Sequence, residues 1–205
     1  EREWSVPEVD ALVAAANTLG GAIERERVEQ ELETRVHHQA LLNEITRASI
    51  TTSDLPQMLQ LIADRLGELL GADGCLIMLW DEERQRTIPT AASGPLRETY
   101  PSMSPEPGEA TLAESVLKTG HPIAIENVLE TQALSRRILE LFPVQAVLGL
   151  PLMESGRKLG AALIGFKQPH RFSKNEIELG AQAAAQIALA IGKAQSLAVA
   201  QQRAI

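Results

Sequence analysis

Two apolar runs of strand length, Val144 to Leu152 and Leu159 to Phe166, are joined by the polar turn Glu154-Ser-Gly-Arg157. Extended segments linked this briefly pair antiparallel, because a parallel crossover needs roughly a dozen residues or more. Directly after them, Phe172-Ser-Lys-Asn-Glu176 opens a helix with Ser173 as N-cap and Glu176 at the capping-box position. That helix carries Ile177, Gly180, Ala184, Ile187, Ile191, Ala194, Ala198 and Gln201 in alternating steps of three and four. Such a strict heptad seam of small and β-branched residues predicts a dimer helix, with Ile177 to Ala194 meeting a second copy.

The same reading extends upstream. Cys75 to Trp80 is a short apolar strand, Asp81 to Arg86 a polar hairpin, and Thr87 to Ala92 the returning strand, which Pro89 assigns to a sheet edge. Residues 93 to 109 hold Pro95, Pro101, Pro105 and Pro107 with Gly94 and Gly108, which predicts a long surface loop of the kind that often serves function. Helices are expected over Thr111 to Lys118, closed by Gly120, and over Leu134 to Leu141, ended by Pro143, with a strand Pro122 to Glu126 between them. Further helices are expected over 8 to 36, His38 to Ala48 and Leu55 to Leu70, the last capped by Ser53 or Asp54 with Pro56 in its first turn.

The N-terminal helix repeats apolar residues at Val9, Leu12, Val13, Ala16, Leu19 and Ile23, then Val28, Leu32 and Val36 after one skip. Five of the eight net negative charges lie in residues 1 to 38, so the remainder is nearly balanced. An acidic, aromatic-poor chain has neither a phosphate-neutralising patch nor stacking rings, which argues against nucleic acid as a partner. No apolar stretch reaches the length of a membrane span, no signal peptide opens the sequence, and Cys75 is the sole cysteine. A cytoplasmic location is expected. Trp4 to Glu26 also superimposes on Phe172 to Ala194 with six identities in 23 positions, among them Ser5 on Ser173 and Glu8 on Glu176. This echo predicts that the chain opens with the closing helix of a preceding, similar module.

Three segments carry a family resemblance: Glu114-Ser-Val-Leu-Lys-Thr-Gly-His-Pro-Ile-Ala-Ile-Glu-Asn-Val128, the hairpin from Leu148 to Gly165, and Phe172 to Glu176 leading into the last helix. With the order of elements, they make the chain resemble the GAF family. The resemblance implies an α+β fold: an antiparallel sheet with the terminal helices on one face and short helices over a small-molecule pocket on the other. It divides the chain into 1–37, the end of a preceding domain plus linker, 38–195, the GAF domain, and 196–205, a connector. It further implies a homodimer through the terminal helices and a relay to an output domain such as a histidine kinase or cyclase.

The candidate pocket residues are Leu112 and Val116 on the short helix, Ile125 and Asn127 at the strand end, Arg136 and Arg137 on the next helix, and Leu148 and Leu150 on the following strand. The arginine pair is suited to an anionic ligand. Bilin-binding members of the family attach the chromophore through a cysteine where this chain reads Ser135 to Phe142, so no bilin is expected. Of the cyclic-nucleotide signature only Asn127, Phe172 and Glu176 are present, so that ligand is not supported either. His37, His38, His121 and His170 have no metal-ligand spacing and read as surface residues. No catalytic constellation forms, and one cysteine cannot run the redox cycle of the sulfoxide reductases that share this fold. Cys75, at the start of a core strand, reads as a buried structural thiol.

Overall fold

A computed structural model describes residues 5–51, 54–106, 108–131 and 133–203. The chain divides into two compact units, the first ending at Ala40 and the second starting at Leu41. Helix α1 runs over Val6–Thr51 as one element where the sequence reading expects two. The skip between Ile23 and Val28 interrupts the apolar period, yet no proline stands between Pro7 and Pro56 to stop a helix. In the first unit, Leu12, Val13, Leu19, Ile23, Val28, Leu32 and Val36 are each more than half exposed.

In the second unit, α2 (Leu55–Leu69) precedes the hairpin of β1 (Gly74–Asp81) and β2 (Arg86–Ala92). Asp54 takes the cap position of α2 without a capping hydrogen bond, and Ser53 lies outside the described residues. Then come α3 (Leu112–Thr119), β3 (Ile123–Ile125), α4 (Arg136–Leu141), β4 (Ala146–Glu154), β5 (Arg157–Phe166) and α5 (Lys174–Arg203). The side chains follow the expected local chemistry. Thr111 Oγ1 accepts from the Glu114 N–H at 3.2 Å and Gly120 closes α3 in the left-handed region at φ 71°. At α5, Ser173 Oγ accepts from the Glu176 N–H, and Glu176 Oε2 accepts from the Ser173 N–H at 2.8 Å.

The five strands form one antiparallel sheet in the order β2-β1-β5-β4-β3, so Pro89 lies on an edge strand as its missing N–H demands. Both faces are covered. On one face, Cys75, Ile77, Leu148, Leu150, Leu152 and Ile164 pack under α2, α5 and the last turns of α1. On the other, Leu76, Met78, Val147, Ala161 and Leu163 pack under α3 and α4. The α5 seam and the long loop both depart from the sequence expectation. Gly180, Ala184, Ile187 and Ile191 are buried in the first of these layers, with Ile177 and Ala194 packed against it, so within the protomer the heptad seam serves the chain's own sheet. A stripe of small residues in steps of three and four fits a sheet as well as a partner helix. The side chains of Ala198 and Gln201 lie outside the described residues. The long loop is not purely superficial either: 3-10 turns at Gly94–Arg97 and Tyr100–Met103 seat Leu96 in the core, and Pro105 is buried.

Candidate functional site

Strands buried on both faces divide their side chains strictly by parity. In β4, Val147 points to α3 and α4, while Leu148 and Leu150 point to α5. Leu148 and Leu150 therefore do not share a pocket with Leu112 and Val116; a continuous apolar run carries no sign of which parity faces which layer. Leu112, Val116 and Ile125 do come together on the α3 and α4 side. Asn127 is exposed and caps the 3-10 turn Val128–Glu130, accepting from the Leu129 N–H and donating to Glu130. Arg136 is exposed, whereas Arg137 is bound within the chain. Phe172 packs against the α5 layer and Glu176 completes the capping box, so these two serve local structure.

The space left under α3 and α4 is small. A void of about 20 Å³ remains between Leu76, Met78, Leu112, Ile138 and Leu163, walled by Pro105 and Phe142. Phe142 also lines a second, open cavity of about 280 Å³, together with Pro95, Leu96, Leu141, Val144, Asp73 and Lys167. Phe142 partitions the two. Its ring lies so close to β5 that a β-carbon at Gly165 would stand 2.6 Å from Cζ. The Lys167 N–H donates to Asp73 Oδ2 at 2.7 Å, tying the end of β5 to the start of β1. The larger cavity is just below the usual size of a small-molecule site, with the apolar walls and few polar groups such sites have.

The loop is fastened over the inner void by one cation. Glu109, whose side chain is 8% exposed, accepts from Arg137 Nε at 3.1 Å and Nη2 at 2.5 Å, from the Ser135 hydroxyl, and from the Glu106 N–H at 2.9 Å. The Arg137 guanidinium holds the Glu109 carboxyl down to about 2 against the opposing effect of burial, with help from Ser135 and the Glu106 backbone. Arg137 also donates to the Ser104 carbonyl at 3.0 Å and lies 3.7 Å from the Glu106 carboxylate. Sequence reasoning selects Arg137 but misses Glu109, Ser135 and Phe142. Glu109 and Arg137 are 28 residues apart, and no local pattern pairs them.

Cys75 is fully buried, and burial reinforced by the charge of Asp64 pushes its thiol well above the ordinary range. A native sample is expected to leave Cys75 unreactive toward a thiol-disulfide reagent and to release one equivalent per chain in denaturant; rapid native labelling would contradict that burial. His170 departs from the surface reading: it stacks on Phe166 with centroids 3.9 Å apart and bonds Glu176 at 2.8 Å. Among the described residues no group of three or more His, Cys, Asp or Glu side chains could hold a metal ion, and no helix is long and apolar enough to cross a membrane.

A family model described as GAF domain matches residues 52–192. No curated protein matches the chain. Among solved structures, a GAF domain from a phosphoenolpyruvate-protein phosphotransferase of Coxiella burnetii is 25% identical, with a TM-score of 0.70 over 80% of this chain and 98% of that one. A domain assigned to a two-component sensor histidine kinase of Sinorhizobium meliloti is also 25% identical, with a TM-score of 0.59 over 73% and 98%. The free methionine-R-sulfoxide reductase of Neisseria meningitidis, solved with its substrate, has a TM-score of 0.65 over 78% and 91%, and at 15% identity it shares the fold alone.

Proposed function

Because this chain belongs to the GAF domain family, we propose that it is a non-catalytic sensory module that takes a small molecule under its α3 and α4 face and relays the event through its helices. The observation that carries this reading is the position of β4. A β-carbon at Gly149 would stand 2.9 Å from both Leu112 and Val116 of α3, while Leu148 and Leu150 of the same strand contact α5 at Gly180. One strand therefore separates the pocket helix from the outgoing helix, and a shift of α3 is felt at α5 through close-packed side chains.

The relay runs along paired helices in a homodimer. The exposed apolar stripe of α1 is what a second copy covers. Helix α1 begins right after Ser5, as α5 begins right after Ser173, which supports the tandem arrangement implied by the sequence echo. The output is a phosphotransfer enzyme, and a sensor histidine kinase fits the relative from Sinorhizobium meliloti. The setting is cytoplasmic.

Thermal shift and native mass spectrometry against metabolites and nucleotides are expected to find at least one retained compound, and light scattering a dimer. A monodisperse monomer at high concentration removes the dimer relay. An alternative, a structural dimerisation module without a ligand, is favoured by the inner void of about 20 Å³; a protein that dimerises and answers to nothing supports it.

A further inference from the structure

Two loop residues anchor on this face: Pro105 lines the inner void, while Glu109 bonds Ser135 and Arg137, the chain neighbours of the void-lining Leu134 and Ile138. Pro105 is buried between two exposed neighbours, Ser104 and Glu106, so a single ring dips into the apolar void beside Leu112, Ile138 and Phe142. Glu109 places its carboxylate on Arg137 and Ser135, both presented from the α4 side. An apolar ring plus a carboxylate is the outline of a small organic acid. The same stretch, with Pro105, Glu106 and Gly108, also lines an open groove of about 560 Å³ together with Arg84, Arg86 and Glu114. Pro105 lines both spaces, so the loop there is a single layer between groove and void.

We propose that the chamber under this loop is a binding site for a monocarboxylate with a compact apolar body, and that Pro105 and Glu109 occupy it in the ligand's absence. This rests on the small-molecule reading above and names the ligand class and the regulation of that site. Three of the four donors on Glu109 belong to Arg137 and Ser135 and are available to any carboxylate that replaces it. The exchange leaves the charge at Arg137 unchanged, so its cost is displacement of the loop, offset by burial of the ligand's body against Leu76, Met78 and Leu163. Two further ties of the segment, from the Ser104 carbonyl and the Glu106 carboxylate, also end on Arg137. Ligand arrival at this one guanidinium thus releases the loop. A ligand about the size of a five- or six-membered ring fits, because the space to be filled is the void plus the volume of one prolyl ring. A neutral analogue leaves Arg137 without a carboxylate in a half-buried position and is rejected.

The test uses cyclopentanecarboxylate and benzoate as probes, with cyclopentanecarboxamide and benzamide as neutral counterparts, titrated by calorimetry into the whole chain and its Glu109→Gln and Arg137→Met variants. The acids are expected to bind and the amides not. Glu109→Gln removes the competing charge with little change of shape, and affinity for the acids is expected to rise about tenfold or more, since self-occupancy lowers apparent affinity by the fraction of sites that are free. Arg137→Met is expected to abolish acid binding. In the wild type, the Arg137 Nε–H resonance is expected to shift on adding cyclopentanecarboxylate, which serves if a variant fails to fold. Equal affinity for acids and amides, an unchanged affinity in Glu109→Gln, or an Arg137 resonance that never moves overturns the proposal. Should another compound bind regardless of Glu109 and Arg137, the sensory reading stands and this one falls; should these probes fail and no compound of the metabolite and nucleotide panel be retained, both fall.

Discussion

Gly160→Val is expected to lower the stability of the domain by more than about 3 kcal/mol, or roughly 10 °C in melting temperature, and to deplete the folded protein on expression. Gly160 lies in β5 opposite Leu79 of β1 and Leu152 of β4, at the middle of the sheet. A β-carbon there would overlap the Met78 carbonyl oxygen and stand 3.1 Å from Leu79 Cα. These are backbone atoms, which have no rotamer to yield, so relief requires β1 and β5 to separate and their ladder to break. Gly156→Ala is the control. Its β-carbon would meet nothing within 4 Å, and the only cost is the left-handed backbone at φ 82°, about 1 kcal/mol. Thermal melts of the two variants separate crowding from backbone conformation; equal losses would refute the steric account.

Arg137→Met is expected to remove a pH dependence as well as stability. In the wild type the Glu109 carboxyl titrates at about 2, against an ordinary value of 4.5, because the guanidinium hydrogen-bonds its ionised form. A folded-state value below the unfolded one means the stabilisation is fully present above pH 4.5 and is lost as the pH falls toward 2. Without the cation the Glu109 carboxylate keeps only the Ser135 hydroxyl and the Glu106 N–H against the opposing effect of burial. The two proteins are therefore expected to differ most near neutrality and to converge at the acid end. Glu176, held low by Ser173 and His170 against burial, titrates in both and cancels in the difference. Urea unfolding at a series of pH values reads this directly, and a constant gap between the curves would exclude the Glu109 contribution.

The elements of the domain are legible because their signals are local. Ser173 with Glu176, Thr111 with Gly120, and Pro89 on an edge each state a boundary or a place in the sheet within a few residues. Cys75 is legible for a related reason, since a lone cysteine in an apolar strand has few alternatives to burial. What escapes is the pairing of distant segments. The parity of β4 is hidden because both its faces are apolar, which puts Leu148 and Leu150 in the wrong layer. The α5 seam has the spacing that a sheet and a second helix both require, and only the fold reveals which of them it meets. Arg137 is visible as a cation on a short helix, but its partner stands in a loop of proline, glycine and glutamate in which nothing distinguishes Glu109 from Glu106.

The strand order has a consequence for how the domain comes into being. β5 lies at the centre of the sheet between β1 and β4, yet it is the last strand to be synthesised. The β1 and β2 hairpin therefore leaves the ribosome with one long apolar edge unpaired and waits for more than sixty residues before its partner arrives. The β4 and β5 hairpin, joined by a tight turn, forms locally and docks as a unit. Because α5 follows at once and seals the sheet, the outgoing helix cannot take its place until the strand beside β1 has arrived. In a growing chain, the same helix that we propose carries the signal onward would thereby report that the domain behind it is complete.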